Sequence, residues 1–175
     1  MAVAALLGFT WSGGAAAQRV EATEASVKAA FLSKFAGYVE WPAGTWATHD
    51  GPFVFGVLGS DEIAAELAKA TAGRNVDGHQ MTVRRVREGE SLRGVHALFV
   101  GRGAAERLAT LLRAAQQPAI LTVTEAERGL EAGSVINFVL ADDRVGFEVS
   151  LEAAERHGLK ISSRMLGVAR RVVQR

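Results

Sequence analysis

Apolar residues recur at helical spacing near the start of the chain. Val27, Phe31, Phe35, Tyr38 and Val39 fall on one stripe and predict an amphipathic helix over Thr23–Val39, with Lys28 and Lys34 off the centre of that stripe. Trp41-Pro42 ends it, because the residue before a proline is pushed out of the helical region. The pattern then changes. Phe53–Leu58 is a short continuous apolar run, as expected of a strand buried on both faces. Ser60 or Asp61 can cap a following helix, Glu62–Thr71. Met81–Val86 alternates and reads as a less buried strand. Ala97–Val100 and Ala119–Val123 are further buried strands. Between them Gly101-Arg102-Gly103 turns into a helix, Ala104–Gln116, stopped by Pro118.

Glu125–Leu130 reads as a short helix or turn. Val135–Leu140 and Arg144–Val149 flank Ala141-Asp142-Asp143, the pattern of a hairpin. Leu151–Arg156 and Lys160–Val173 are expected to close the chain as helices, separated by His157-Gly158. Strands alternating with helices and then a hairpin predict an α/β fold. We expect a single-domain sandwich with a largely parallel, mixed sheet of about six strands, flanked by helices and carrying an antiparallel hairpin near the C-terminus.

The first 17 residues stand apart from this domain. Ala2–Trp11 is mostly apolar and too short to span a bilayer, and Ala15-Ala16-Ala17 before Gln18 fits signal cleavage, although no Lys or Arg precedes the apolar run. Residues 1–17 are therefore read as a signal peptide and residues 18–175 as one soluble, exported domain with no membrane insertion. The chain has no cysteine, so it stands on packing and has no thiol chemistry. A net charge of +1 gives no case for nucleic acid. Its basic residues do cluster, at Arg84, Arg85 and Arg87 and from Lys160 to the end, where a solvated face and contact with an acidic partner or anion are both open.

Few residues point to catalysis. Gly101-Arg102-Gly103 sits where dinucleotide fingerprints occur, but Glu106 replaces the third glycine. A tight turn is the simpler reading; a small anion held with Arg102 is the sharper one. His49, His79, His96 and His157 lack ligand spacing, so no metal is expected. Asp142-Asp143 reads as turn chemistry, and Ser162-Ser163 as polar positions near a helix start. Asn137 interrupts an apolar strand, either as a structural bracket or as part of a small polar site. Trp41 reads as core or contact, and Trp46 as the more exposed contact.

Two blocks are distinctive: Val27–Phe31, Phe35-Ala36 and Glu40-Trp41-Pro42 near one end, and Asn137-Phe138, Phe147-Glu148-Val149, Leu151, Ala154, Gly158–Ser163 and Met165-Leu166 near the other. With Val57-Leu58-Gly59 between them, these resemble the signatures of the YfiR-like family over nearly the whole exported chain. The resemblance implies a periplasmic, non-catalytic α/β protein without a cofactor. It further implies a homodimer that binds the sensor domain of an inner-membrane receptor. By this resemblance the expected receptor is a diguanylate cyclase of the YfiN type, in cyclic di-GMP and biofilm signalling, or a histidine kinase or other receptor of the kind that other members serve. On this basis the expected partner contacts are Trp41, Pro42, Trp46, Ile161, Met165 and Leu166. The alternative is a periplasmic binding protein for an anion, nucleotide or amino acid. The expected ligand contacts are Arg84, Arg102, Asn137 and Arg164.

Overall fold

The computed structural model describes residues 23–46, 51–114 and 119–174. The proposed signal peptide, His49 and Pro118 lie outside them. Helix α1 runs Glu24–Phe35, capped by the Thr23 hydroxyl, which accepts from the Ser26 N–H at 3.1 Å. A 3-10 turn, Ala36–Tyr38, carries the chain into β1, Val39–Glu40. The predicted helix thus gives way to a strand at Val39.

Strand β2, Phe53–Leu58, leads through the Ser60 cap into α2, Asp61–Thr71. Strands β3, Asn75–Val76, and β4, His79–Arg85, form an antiparallel pair. After β5, Ala97–Val100, two 3-10 turns over Arg102–Arg107 precede α3, Leu108–Ala114. Next come β6, Leu121–Thr124, and the hairpin of β7, Ile136–Ala141, and β8, Arg144–Ser150. Asp142 and Asp143 both have positive φ, 52° and 56°, the geometry a two-residue hairpin turn requires.

The end of the chain departs from expectation. Only α4, Leu151–Arg156, and α5, Ser163–Leu166, are helical. Residues on either side of α5 form β9, Lys160–Ile161, and β10, Arg171–Val173. The predicted helix over Lys160–Val173 is therefore a strand, one helical turn and a second strand. Both strands are fixed by distant partners that local periodicity does not reveal.

Eight strands form one mixed sheet in the order β10-β8-β7-β6-β5-β2-β4-β3. The neighbours from β4 through β2, β5 and β6 to β7 are parallel, and β8 returns antiparallel to β7. Strands β1 and β9 form a separate antiparallel pair. The larger core lies on one face, where α1, α2 and α4 meet alternate residues of the sheet such as Phe53, Phe55, Phe99, Val123, Ile136 and Phe147. Phe31 and Phe35 of α1 pack on Phe138 and Phe147, with Phe35 and Phe147 centroids 4.9 Å apart. On the other face α3 covers a smaller core of Leu58, Val86, Leu98 and Val100. Gly56 lies beneath it because a Cβ there would come within 3.0–3.2 Å of Val86, Val95 and Leu98.

Candidate functional site

Sheets of this kind ordinarily bind ligands beyond the carboxyl ends of the parallel strands, where the strand order reverses. Here that point lies between β2 and β5, and it is filled by backbone. A Cβ on Gly101 would stand 2.8 Å from the Gly59 carbonyl oxygen, and one on Gly103 would stand 2.9 Å from the same atom. The glycines at this turn therefore serve a close approach of two loops, and the Gly101-Arg102-Gly103 segment holds no open phosphate cradle.

Arg102 is occupied as well. Its guanidinium donates to Glu24 at 2.9 Å, and its backbone N–H donates to Glu125 Oε1 at 3.0 Å. Both carboxylates also receive Lys28 Nζ. Lys28 is buried, against the expectation that it lies away from the packed stripe. The cluster Glu24–Lys28–Glu125–Arg102 ties α1 to the end of β6. The Lys28 hydrogen bond, opposed by some desolvation and assisted by the charges of Lys28 and Arg102, holds the Glu24 carboxyl below its ordinary range.

Asn137 is buried, and its Oδ1 accepts from the Thr124 hydroxyl at 2.7 Å. Gly129 closes over the pair, since a Cβ there would collide with both side chains. Asn137 is thus placed as a bracket between β6, β7 and the loop above them.

The open cleft lies at the opposite end of the sheet, where β2, β5 and β6 begin. It has a volume of about 650 Å³ and is lined by Pro42–Trp46, Gly51-Pro52, Val54, Arg84, Leu92–His96 and Ala119-Ile120. An aromatic and imidazole stack builds one wall. Trp46 stacks on His79 with ring centroids 3.9 Å apart and planes at 17°, and lies 5.1 Å from His96 and 6.1 Å from Phe53. Trp41 packs edge-on against Phe53 at 5.3 Å.

Hydrogen bonds fix both histidines. His79 Nδ1 donates to the Gly51 carbonyl at 2.6 Å. His96 Nδ1 accepts from the Val54 N–H at 3.1 Å, which leaves the proton of the neutral ring on Nε2. Burial, and then the nearby His79, push the His96 imidazole below its ordinary value. These histidines were not singled out by sequence spacing. Positions 79 and 96 sit on separate strands, and only the sheet brings them to one tryptophan.

The two signature blocks meet directly. Val39 lies opposite Ile161 and Glu40 opposite Lys160, and the Ser162 N–H donates to the Tyr38 carbonyl at 2.9 Å. The Pro42 ring lies beneath Gly158, whose Cβ would fall 3.6 Å from it. Tyr38 is 40% exposed, and Trp41, Pro42, Ile161 and Leu166 are half-buried. Met165 is 2% exposed and supports this corner from inside the core. Trp46 belongs to both regions: it is half-buried, packs against Trp41 at 6.3 Å and lines the cleft.

Arg164 is exposed at the start of α5. Arg84 lines the cleft, whereas its neighbour Arg85 pairs with Asp61 at 3.0 Å. Part of the C-terminal basic run is paired too, with Arg171 gripping Glu148 through two bonds of 2.8 and 2.9 Å. Among the described residues, no group of three or more His, Asp or Glu is placed to hold a metal, and no helix is long and apolar enough to cross a membrane.

A crystal structure of a conserved domain protein from Vibrio cholerae O1 biovar El Tor shares this fold, with a TM-score of 0.55 and 11% identity. The match covers 86% of this chain and 60% of the other, so the chain spans less than two thirds of that chain's length. No functionally curated protein matches the sequence. The profile of the YfiR/HmsC-like family matches residues 25–170, which contain both signature blocks and the ladder that joins them. The chain belongs to the YfiR/HmsC-like family, a family of periplasmic regulators.

Proposed function

We propose that the protein is a non-catalytic regulator that docks onto the periplasmic sensor part of an inner-membrane diguanylate cyclase or histidine kinase and represses it, as a homodimer, in cyclic di-GMP and biofilm signalling. The observation that carries this reading is the β1–β9 ladder. It brings two segments far apart in sequence into one corner, where Tyr38, Trp41, Pro42, Ile161 and Leu166 present apolar and aromatic surface beside polar Glu40, Lys160 and Arg164. An aromatic and aliphatic centre with a charged rim is the composition of a protein-binding hot spot. Docking there shifts the receptor's equilibrium by the difference in affinity between its two states.

The test is crosslinked co-purification of the exported protein from membranes, with the captured proteins identified by mass spectrometry. A membrane cyclase or histidine kinase is expected with the native chain. It should be lost with Leu166→Glu, while the variant's circular dichroism and melting stay native. Capture that survives Leu166→Glu, or recovery of no such receptor by the native chain, overturns the proposal. Light scattering on the purified protein tests the dimer.

A further inference from the structure

The cleft at the start of β2, β5 and β6 has features that docking at the corner does not use. Its walls are mostly apolar, from Pro42, Trp46, Pro52, Val54, Leu92 and Ile120. Among the described residues its charged lining groups are all cationic or potentially so: Arg84, Arg93 and His96, with no carboxylate among the described lining residues. Half of the twelve other arginines among the described residues are neutralised. Arg85, Arg102, Arg107, Arg128, Arg156 and Arg171 each meet an Asp or Glu. Arg84 and Arg93 have no carboxylate partner among the described residues.

Arg84 is also held in place and left incomplete. Its Nη2 donates to the Ser91 carbonyl at 2.9 Å, which fixes the guanidinium against the loop. Its Nε is buried and is the one buried side-chain polar atom without a hydrogen-bond partner among the described residues. A buried donor without an acceptor is destabilising by more than an ordinary hydrogen bond stabilises. An anionic oxygen would satisfy it, and guanidinium is suited to carboxylate and phosphate.

We propose that this cleft binds a small organic anion, with a carboxylate or phosphate group held by Arg84 and an apolar body against Trp46 and the Pro52–Val54 wall. Arg93 adds charge, and the His96 Nε2 proton adds a donor among the same lining residues. A cavity of about 650 Å³ with apolar walls and a few polar groups has the size and character of a small-molecule site. Binding here requires no protein partner, so it stands or falls separately from the docking proposal.

Calorimetry on the purified exported chain at pH 7.5 tests it with four probes. These are 2-naphthoate, 2-naphthyl phosphate, the uncharged 2-naphthamide and inorganic phosphate. At least one naphthyl anion should bind, and its preference between carboxylate and phosphate assigns the head group. The neutral amide and inorganic phosphate should each bind at least about tenfold more weakly. Arg84→Gln should weaken the preferred anion by a similar factor. Arg93→Gln, on an exposed side chain that cannot disturb the fold, should weaken it by a smaller one. Equal binding of naphthoate and naphthamide, no binding by either naphthyl anion, or an affinity unchanged in both arginine variants overturns the proposal.

Discussion

Val39 lies directly opposite Ile161 in an antiparallel ladder only two residues long, and this contact joins the two distinctive segments of the chain. So short a ladder contributes little hydrogen bonding by itself. It is held by what lies around it: Val39 and Leu159 are buried, Met165 packs beneath, and the Ser162 hydroxyl accepts from the Arg164 N–H to start the next helical turn.

Val39→Ala should therefore destabilise the fold by about 2 kcal/mol, from lost apolar burial and an incompletely filled site. Urea unfolding should show a lower midpoint with an unchanged slope. A variant as stable as the native chain would mean that the ladder rests on other contacts.

Lys28 is the buried cation of a cluster with Glu24, Glu125 and Arg102. Lys28→Met should destabilise by about 3–5 kcal/mol, because it leaves the Glu125 carboxylate buried without that ion-pair partner. Adding Glu125→Gln should recover part of the loss, and a double-mutant cycle in urea measures how much.

The same cluster predicts an acid limit. Glu24 has a lowered carboxyl pKa in the folded chain, so its contribution is present above the ordinary carboxylate value of 4.5. It is lost as pH falls below that value through the folded pKa. Stability measured from pH 6 to pH 3 should fall over this range, and the fall should be shallower in Glu24→Gln.

His96 predicts a second, milder pH dependence at higher pH. Its folded pKa is depressed, so the unfolded chain takes up the proton first, and stability should decrease as pH falls below the ordinary histidine value of 6.5. Protonation also removes the acceptor that Nδ1 offers to the Val54 N–H, which loosens the wall behind Trp46. Stability between pH 8 and pH 5 should slope accordingly in the native chain and flatten in His96→Gln. An imidazole titration by NMR that returns an ordinary midpoint would remove the basis for this expectation.

Gly101→Ala should destabilise by about 1–3 kcal/mol, because the added methyl meets the backbone of Gly59, which has no side-chain freedom with which to yield. Gly146→Ala is a useful contrast. The atoms it would meet belong to the Arg170 side chain, which can swing away, so thermal melting should separate the two variants clearly.

The inner strands were legible because each is an apolar run long enough to declare itself, and the hairpin because Asp142-Asp143 marks its turn. The elements that were missed are short. Lys160-Ile161 and Val172-Val173 carry no period of their own, and become strands only through Val39 and β8. For the site, the two blocks that the β1–β9 ladder joins were legible in the sequence. The Trp46–His79–His96 stack was not, since stacking partners on different strands leave no spacing to count. The aromatic loop pointed to Trp46 as an exposed contact, and the residue is instead half-buried against a histidine.

The ladder between Val39 and Ile161 also has a consequence in time. Its strands lie about 120 residues apart in the chain, a contact that a chain not yet made as far as Lys160 cannot form. The corner built on it is therefore completed late. A nascent or truncated chain ending before Lys160 would carry Trp41 and Pro42 yet lack the surface they help to make. The proposed docking surface therefore exists only in a molecule that extends past Ile161.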